Sequence, residues 1–84
     1  GLDKILVEVY FPSLSRSMDI YIPENTRFFM IADMIERAAF SITGGRYVPT
    51  GNAVLCDRSS GVVFDINKTA RQMCLHNGSQ LFIL

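Results

Sequence analysis

From Lys4 to Phe11 the chain alternates, with Ile5, Val7, Val9 and Phe11 on one side of an extended segment and Leu6, Glu8 and Tyr10 on the other. That alternation predicts a strand. The polar stretch containing Pro12, Ser13, Ser15 and Ser17 interrupts it, after which Met18, Ile20 and Ile22 alternate with Asp19 and Tyr21 until Pro23, which lacks the amide a ladder needs. A second strand therefore closes a hairpin. Its loop is longer than a two-residue turn, so register rests mainly on matching the apolar faces.

After Pro23 the period changes. Phe28, Ile31, Met34, Ile35, Ala38, Ala39 and Ile42 form one stripe at helical spacing, with Asp33, Glu36 and Arg37 opposite, and this predicts a helix over 27–43. Asn25 or Thr26 is expected to accept hydrogen bonds from the first-turn amides. Asp33 and Arg37 are spaced as an i,i+4 pair worth only tenths of a kcal/mol. Gly44 and Gly45 are expected to end the helix, because glycine takes the left-handed conformation favoured there.

The second half is read as a loop over 46–52, a short strand over 53–56, a turn cluster over 57–61 and a short strand over 62–64. An irregular connection with a helical turn near 69–73 follows, then a break at Asn77-Gly78 and a last strand over 80–84. The predicted class is α+β, with one amphipathic helix packed on one face of a mixed four- to five-stranded sheet. A helix of about sixteen residues spans roughly 24 Å, enough to cover such a sheet. Insertion of the last strand beside and parallel to the first would explain why both are nearly continuous apolar runs.

At 84 residues the chain is expected to form a single domain over 1–84. A hydrophobic content of 49% with Lys and Arg (8) balancing Asp and Glu (8) argues against disorder. The same balance removes the electrostatic basis for nucleic-acid binding. It also eases self-association, so a homodimer is one expected partner arrangement. Cys56 and Cys74 are too few for a disulfide framework and lack zinc spacing; two buried or half-buried free thiols are expected, with no metal and no cofactor. No apolar run approaches about 20 residues and no signal peptide precedes the first strand, so the expected setting is cytoplasmic, without membrane insertion by this segment. Gly1 is compatible with a longer parent chain, including one with membrane spans.

Thr69, then Leu75 followed by His76-Asn77-Gly78-Ser79-Gln80-Leu81-Phe82-Ile83-Leu84, resembles the closing third of ubiquitin-like domains: a helical turn, a buried aliphatic residue, a tight turn with glycine and a final strand. The whole chain fits this β-grasp pattern without large insertions. Among ubiquitin-like proteins it is similar to the small bacterial YukD/EsaB type of type VII secretion, through Asn77, Gly78, Leu81, Ile83 and Leu84. The resemblance implies a non-conjugating protein-interaction module, either an accessory of a secretion machine or the cytoplasmic domain of a membrane component such as EccD. Ubiquitin and the sulfur carriers need a flexible Gly-Gly tail, whereas this sequence closes on Phe82-Ile83-Leu84. A sulfur carrier or conjugated modifier with Gly-Gly beyond Leu84 remains an alternative reading, as does a regulatory domain of a larger membrane protein.

Catalysis has little material in this sequence. His76, the single histidine, is expected in a solvated turn, and neither cysteine has an adjacent His to activate it. The resemblance also raises the two-iron ferredoxins, which share the fold but need four cysteines. The informative residues are apolar ones placed outside the core. If Ile5, Val7, Leu81 and Ile83 face the helix, Leu6, Tyr10, Phe82 and Leu84 emerge on the opposite face, with Val54 or Cys56 beside them. Phe29 and Phe40 project from the helix away from its stripe, either packing on the 46–52 loop or forming a second contact surface.

Overall fold

A computed structural model describes residues 3–84; positions 1 and 2 of the expected 1–84 domain lie outside the described residues. Strands β1 (Lys4–Phe11) and β2 (Arg16–Pro23) form the expected hairpin, in register from Lys4 opposite Pro23 to Phe11 opposite Arg16. The faces follow the alternation, with Ile5, Val7, Val9, Phe11, Met18, Ile20 and Ile22 all buried. Strands β3 (Leu55–Asp57) and β4 (Gln80–Ile83) complete one sheet in the order β2-β1-β4-β3. The last strand lies parallel to the first, with Val9 opposite Leu81, and antiparallel to β3. A side chain lengthens the parallel pairing: Asn77 Oδ1 accepts the Leu6 N–H at 2.8 Å, while the Gly78 N–H donates to the Leu6 carbonyl at 2.8 Å.

Helix α1 (Phe28–Ile42) starts differently from expectation. Its N-cap is Arg27, and no side chain caps it, so Asn25 and Thr26 do not play that part. The Phe28 and Phe29 amides donate instead to the carbonyls of Lys68 and Ile66, at 2.9 and 3.2 Å. A distant backbone segment thus supplies what a polar side chain usually does. The other end follows expectation: Gly44 is left-handed (φ 62), and the Gly45 N–H returns to the Phe40 carbonyl at 2.9 Å.

The helix is also rotated, by about 50° at 100° per residue. Phe28, Ile31, Ala32, Ile35, Glu36 and Ala39 are buried, whereas Met34 and Ile42 of the expected stripe are exposed and Ala38 is half-buried. Glu36, expected on the solvent side, is only 2% exposed. Its Oε2 accepts the Tyr47 hydroxyl at 2.7 Å and the Thr50 N–H at 2.9 Å, and its Oε1 accepts the Gly51 N–H at 3.3 Å. The connection from α1 to β3 has no regular ladder, and a buried carboxylate takes the place of one. The Tyr47 ring meets Phe11 edge-on at 5.2 Å. Burial, followed by the bond to the Glu36 carboxylate, pushes the Tyr47 hydroxyl pKa well above its ordinary value.

In the second half the expected strand over 53–56 begins only at Leu55 and runs to Asp57. The expected strand over 62–64 is reduced to a single bridge between Cys56 and Val63, flanked by Asp57 N–H to Val62 O and Phe64 N–H to Leu55 O, both 2.9 Å. Asp57 limits it. Its carboxylate accepts the Ser60 N–H and the Ser59 and Ser60 hydroxyls at 2.8 or 2.9 Å, curling the chain, so Val62 and Val63 stay 57% exposed. Phe64 returns to the core and stacks on Phe28 with ring centroids 4.7 Å apart. The expected helical turn is present near 69–73, opened by a reciprocal cap in which Gln72 N–H donates to Thr69 Oγ1 and Thr69 N–H to Gln72 Oε1. It closes on Cys74, which holds φ 60 where a glycine would fit more easily.

Candidate protein-interaction surface

Residues paired across neighbouring strands share a face, so the registers lay out the side of the sheet away from α1 in rows. Ser17, Tyr10, Phe82 and Cys56 make one row, which Val63 continues through its bridge to Cys56. Asp19, Glu8 and Gln80 make the next, and Tyr21 with Leu6 lies beyond it. On the other side, Val54 and Leu84 exchange backbone hydrogen bonds at 3.0 and 2.9 Å, extending the β3·β4 pairing.

This layout brings some of the expected residues together and separates others. Phe82, Val54 and Leu84 form a strip on which Phe82 is half-buried and Val54 and Leu84 are exposed. Tyr10 adjoins it in the register. Leu6 is half-buried, cut off from Tyr10 and Phe82 by the polar row, and its neighbour is Tyr21, 65% exposed. Cys56 is 1% exposed and so offers no contact surface; burial raises its thiol pKa. Cys74 is an exposed free thiol.

Sequence reading missed Arg58. Its guanidinium sits 4.6 Å from the Tyr10 ring centroid, and its Nη1 donates to Glu8 Oε1 and Ser17 Oγ, both at 3.2 Å. It crosses three strands and shelters Tyr10, at a gain of about 0.5–1 kcal/mol for an exposed cation–π contact. No periodicity marks such a residue, because it lies in the turn after β3. Tyr21 and Val63 were also missed as surface residues, although Tyr21 falls on the outward phase of β2.

Phe29 and Phe40 are 51% and 48% exposed and stand about 16 Å apart along the helix. They do not form one patch. Phe29 borders a groove of 270 Å³ together with Asp33, Asn52, Val54 and Ile66, whereas Phe40 lies against Gly45. His76 is exposed in its turn, with Nδ1 3.0 Å from the Asn77 carbonyl oxygen. Among the described residues no group of three His, Cys, Asp or Glu is arranged to hold a metal, and no helix is long and apolar enough to cross a membrane.

The architecture is the ubiquitin-like β-grasp: a mixed four-stranded sheet, first and last strands parallel at its centre, one helix across one face. Solved structures agree. The EccD5 ubiquitin-like domain from Mycobacterium xenopi superimposes with a TM-score of 0.79 at 10% identity, over 98% of this chain and 93% of that one. The ubiquitin-like domain of the Mycobacterium tuberculosis type VII secretion protein EccD1 gives 0.77 at 11% identity, over 99% of both chains. A chain of a toluene 4-monooxygenase complex reaches 0.77 at 15% identity, over 96% of both, which shows that the fold serves unlike proteins. No family model matches the sequence, and no curated protein matches it.

Proposed function

We propose that this domain is a non-conjugating ubiquitin-like adaptor, not an enzyme, and that it docks a protein component of a type VII-like secretion system on the cytoplasmic side. In this reading it acts as a YukD/EsaB-type accessory or as the cytoplasmic domain of a membrane component. The observation that carries the reading is the apolar strip Phe82, Leu84 and Val63 on the sheet face that the helix leaves uncovered, with Val54 at its rim, where it also borders the α1 groove. Apolar side chains beside a polar row with an arginine are the arrangement a protein partner uses, anchors at the centre and charge at the rim. The likeness to the EccD domains supports the choice of system.

A photo-crosslinking residue at Leu84, compared with one at Ser41 on the exposed side of α1, tests this in cells. Position 84 is expected to capture a secretion-membrane component and position 41 is not. Equal capture from both, or none from 84, would remove the sheet face as the docking surface.

A further inference from the structure

The two edges of the sheet are finished differently. Beyond β3 the chain folds back, and the amides of Asp57 and Phe64 pair across to Val62 and Leu55. Beyond β2 nothing comparable is present among the described residues. On β1, Leu6 and Glu8 direct their backbone groups toward the β4 side, where they meet Asn77, Gly78 and Ser79. The alternate residues Ile5, Val7, Val9 and Phe11 therefore bond to Ile22, Ile20, Met18 and Arg16, and Ser17, Asp19 and Tyr21 point their amides and carbonyls outward. An eight-residue edge with apolar inward side chains is a template for another strand.

We propose that this edge pairs with the same edge of a second copy, antiparallel, joining two sheets into one through a twofold axis at Ile20. Facing residues must share a side of the sheet, which leaves few registers. Centring on Asp19 would set two carboxylates directly opposite each other. Centring on Tyr21 would put Pro23, which has no amide, opposite Asp19. Centring on Ile20 sets Asp19 opposite Tyr21 of the second copy and Arg16 opposite its Glu24, so opposite charges meet and the proline falls at the end of the ladder. Six backbone hydrogen bonds result, by the same alternation. The zero net charge of the chain offers no general repulsion to oppose them. Met34 and Ile42, exposed on the helix flank opposite Glu36, extend the apolar contact, since α1 lies along β2 more extensively than along any other strand. This inference is independent of the docking strip, which lies on the sheet face and not on its edge.

Sedimentation equilibrium of the domain from micromolar to millimolar concentration should show a monomer–dimer equilibrium. Amide exchange should slow with concentration at Ser17, Asp19 and Tyr21, and stay unchanged at Ile20, which is bonded within the monomer. Arg16→Glu should weaken the dimer about threefold, and adding Glu24→Arg should restore it, both in an Arg71→Ala background, because Arg71 lies 3.8 Å from Glu24 within the same chain. Tyr21→Pro, which removes an outward amide, should weaken it at least about tenfold; if that variant misfolds, the charge pair and the exchange pattern decide. A monomer at every concentration, a dimer with unchanged exchange at Asp19 and Tyr21, or failure of the charge swap to restore pairing would overturn the proposal. Slowed exchange only on adding an extended foreign peptide would overturn it too.

Discussion

The chain up to Ile42 and the chain after Gly45 are held by different means. In the first part apolar residues recur at strand and then helix spacing, and Val7, Val9, Phe11, Ile22, Ile31 and Ile35 are completely buried. In the second part polar side chains catch backbone groups: Asp57 on Ser60, Asp65 on Asn67, Thr69 and Gln72 on each other, Asn77 on Leu6. Only a few anchors there, such as Leu55, Phe64, Ala70 and Leu81, reach the core. Periodic burial fixes where an element lies, and local capture fixes how an irregular segment turns between anchors. Glu36 joins the two, since it sits on the helix and serves the connection.

Weakening one part and then the joint gives the largest effects. Ile35→Ala should cost about 4 kcal/mol through the cavity it leaves, a large share of the stability of a domain this small. Glu36→Ala should cost about 2 kcal/mol, because the Tyr47 hydroxyl and the Thr50 and Gly51 amides lose the charged acceptor that holds the connection to the helix. Urea unfolding gives both values, and exchange at Thr50 and Gly51 should accelerate only in the second variant. A Glu36→Ala variant as stable as the parent would mean that the connection is held by its anchors alone.

Smaller changes sharpen the contrast. Cys74→Gly should stabilise by about 0.5 kcal/mol, relief of the left-handed backbone at Cys74 outweighing the added freedom of the unfolded chain. A melting temperature raised by about 3 °C would register it.

The smallest effects come from pH. The Ser60 amide, then the Ser60 and Ser59 hydroxyls, hold Asp57 below its ordinary value of 3.8, so its contribution is present above that pH and drains away as pH falls through the lower folded value. Tyr47 is the reverse case, its contribution being complete below the ordinary 10.0 and lost as pH rises beyond it. Stability measured against pH should lose part of its acid limb in Asp57→Asn and part of its alkaline limb in Tyr47→Phe.

This division explains what was legible in the sequence. The hairpin, the helix and the parallel closing strand follow from Ile5 to Ile22, Phe28 to Ala39, and Leu81 with Ile83, because a period repeated several times outweighs any single residue. Glu36 was not legible, because a carboxylate on a helix reads as solvent-facing unless the amides it will meet are known. The rotation that exposes Met34 and Ile42 brings that same residue inside, together with Ala32. Val62 and Val63 have strand-forming side chains, yet the Asp57 turn leaves them one bridge. Of the expected surface, Phe82, Val54 and Leu84 share a face with Tyr10 as the alternation implied, but the arginine sheltering Tyr10 comes from a turn that no period describes.

One consequence concerns synthesis. The helix opens on amides received by Ile66 and Lys68, and the centre of the sheet is filled by the segment ending at Ile83. While the ribosome still holds that segment, β1 has only one neighbour and the helix has no receiver for its first turn. The nascent hairpin and helix must wait, with their greasy sides uncovered, and the domain should snap shut only after the tunnel releases its last strand.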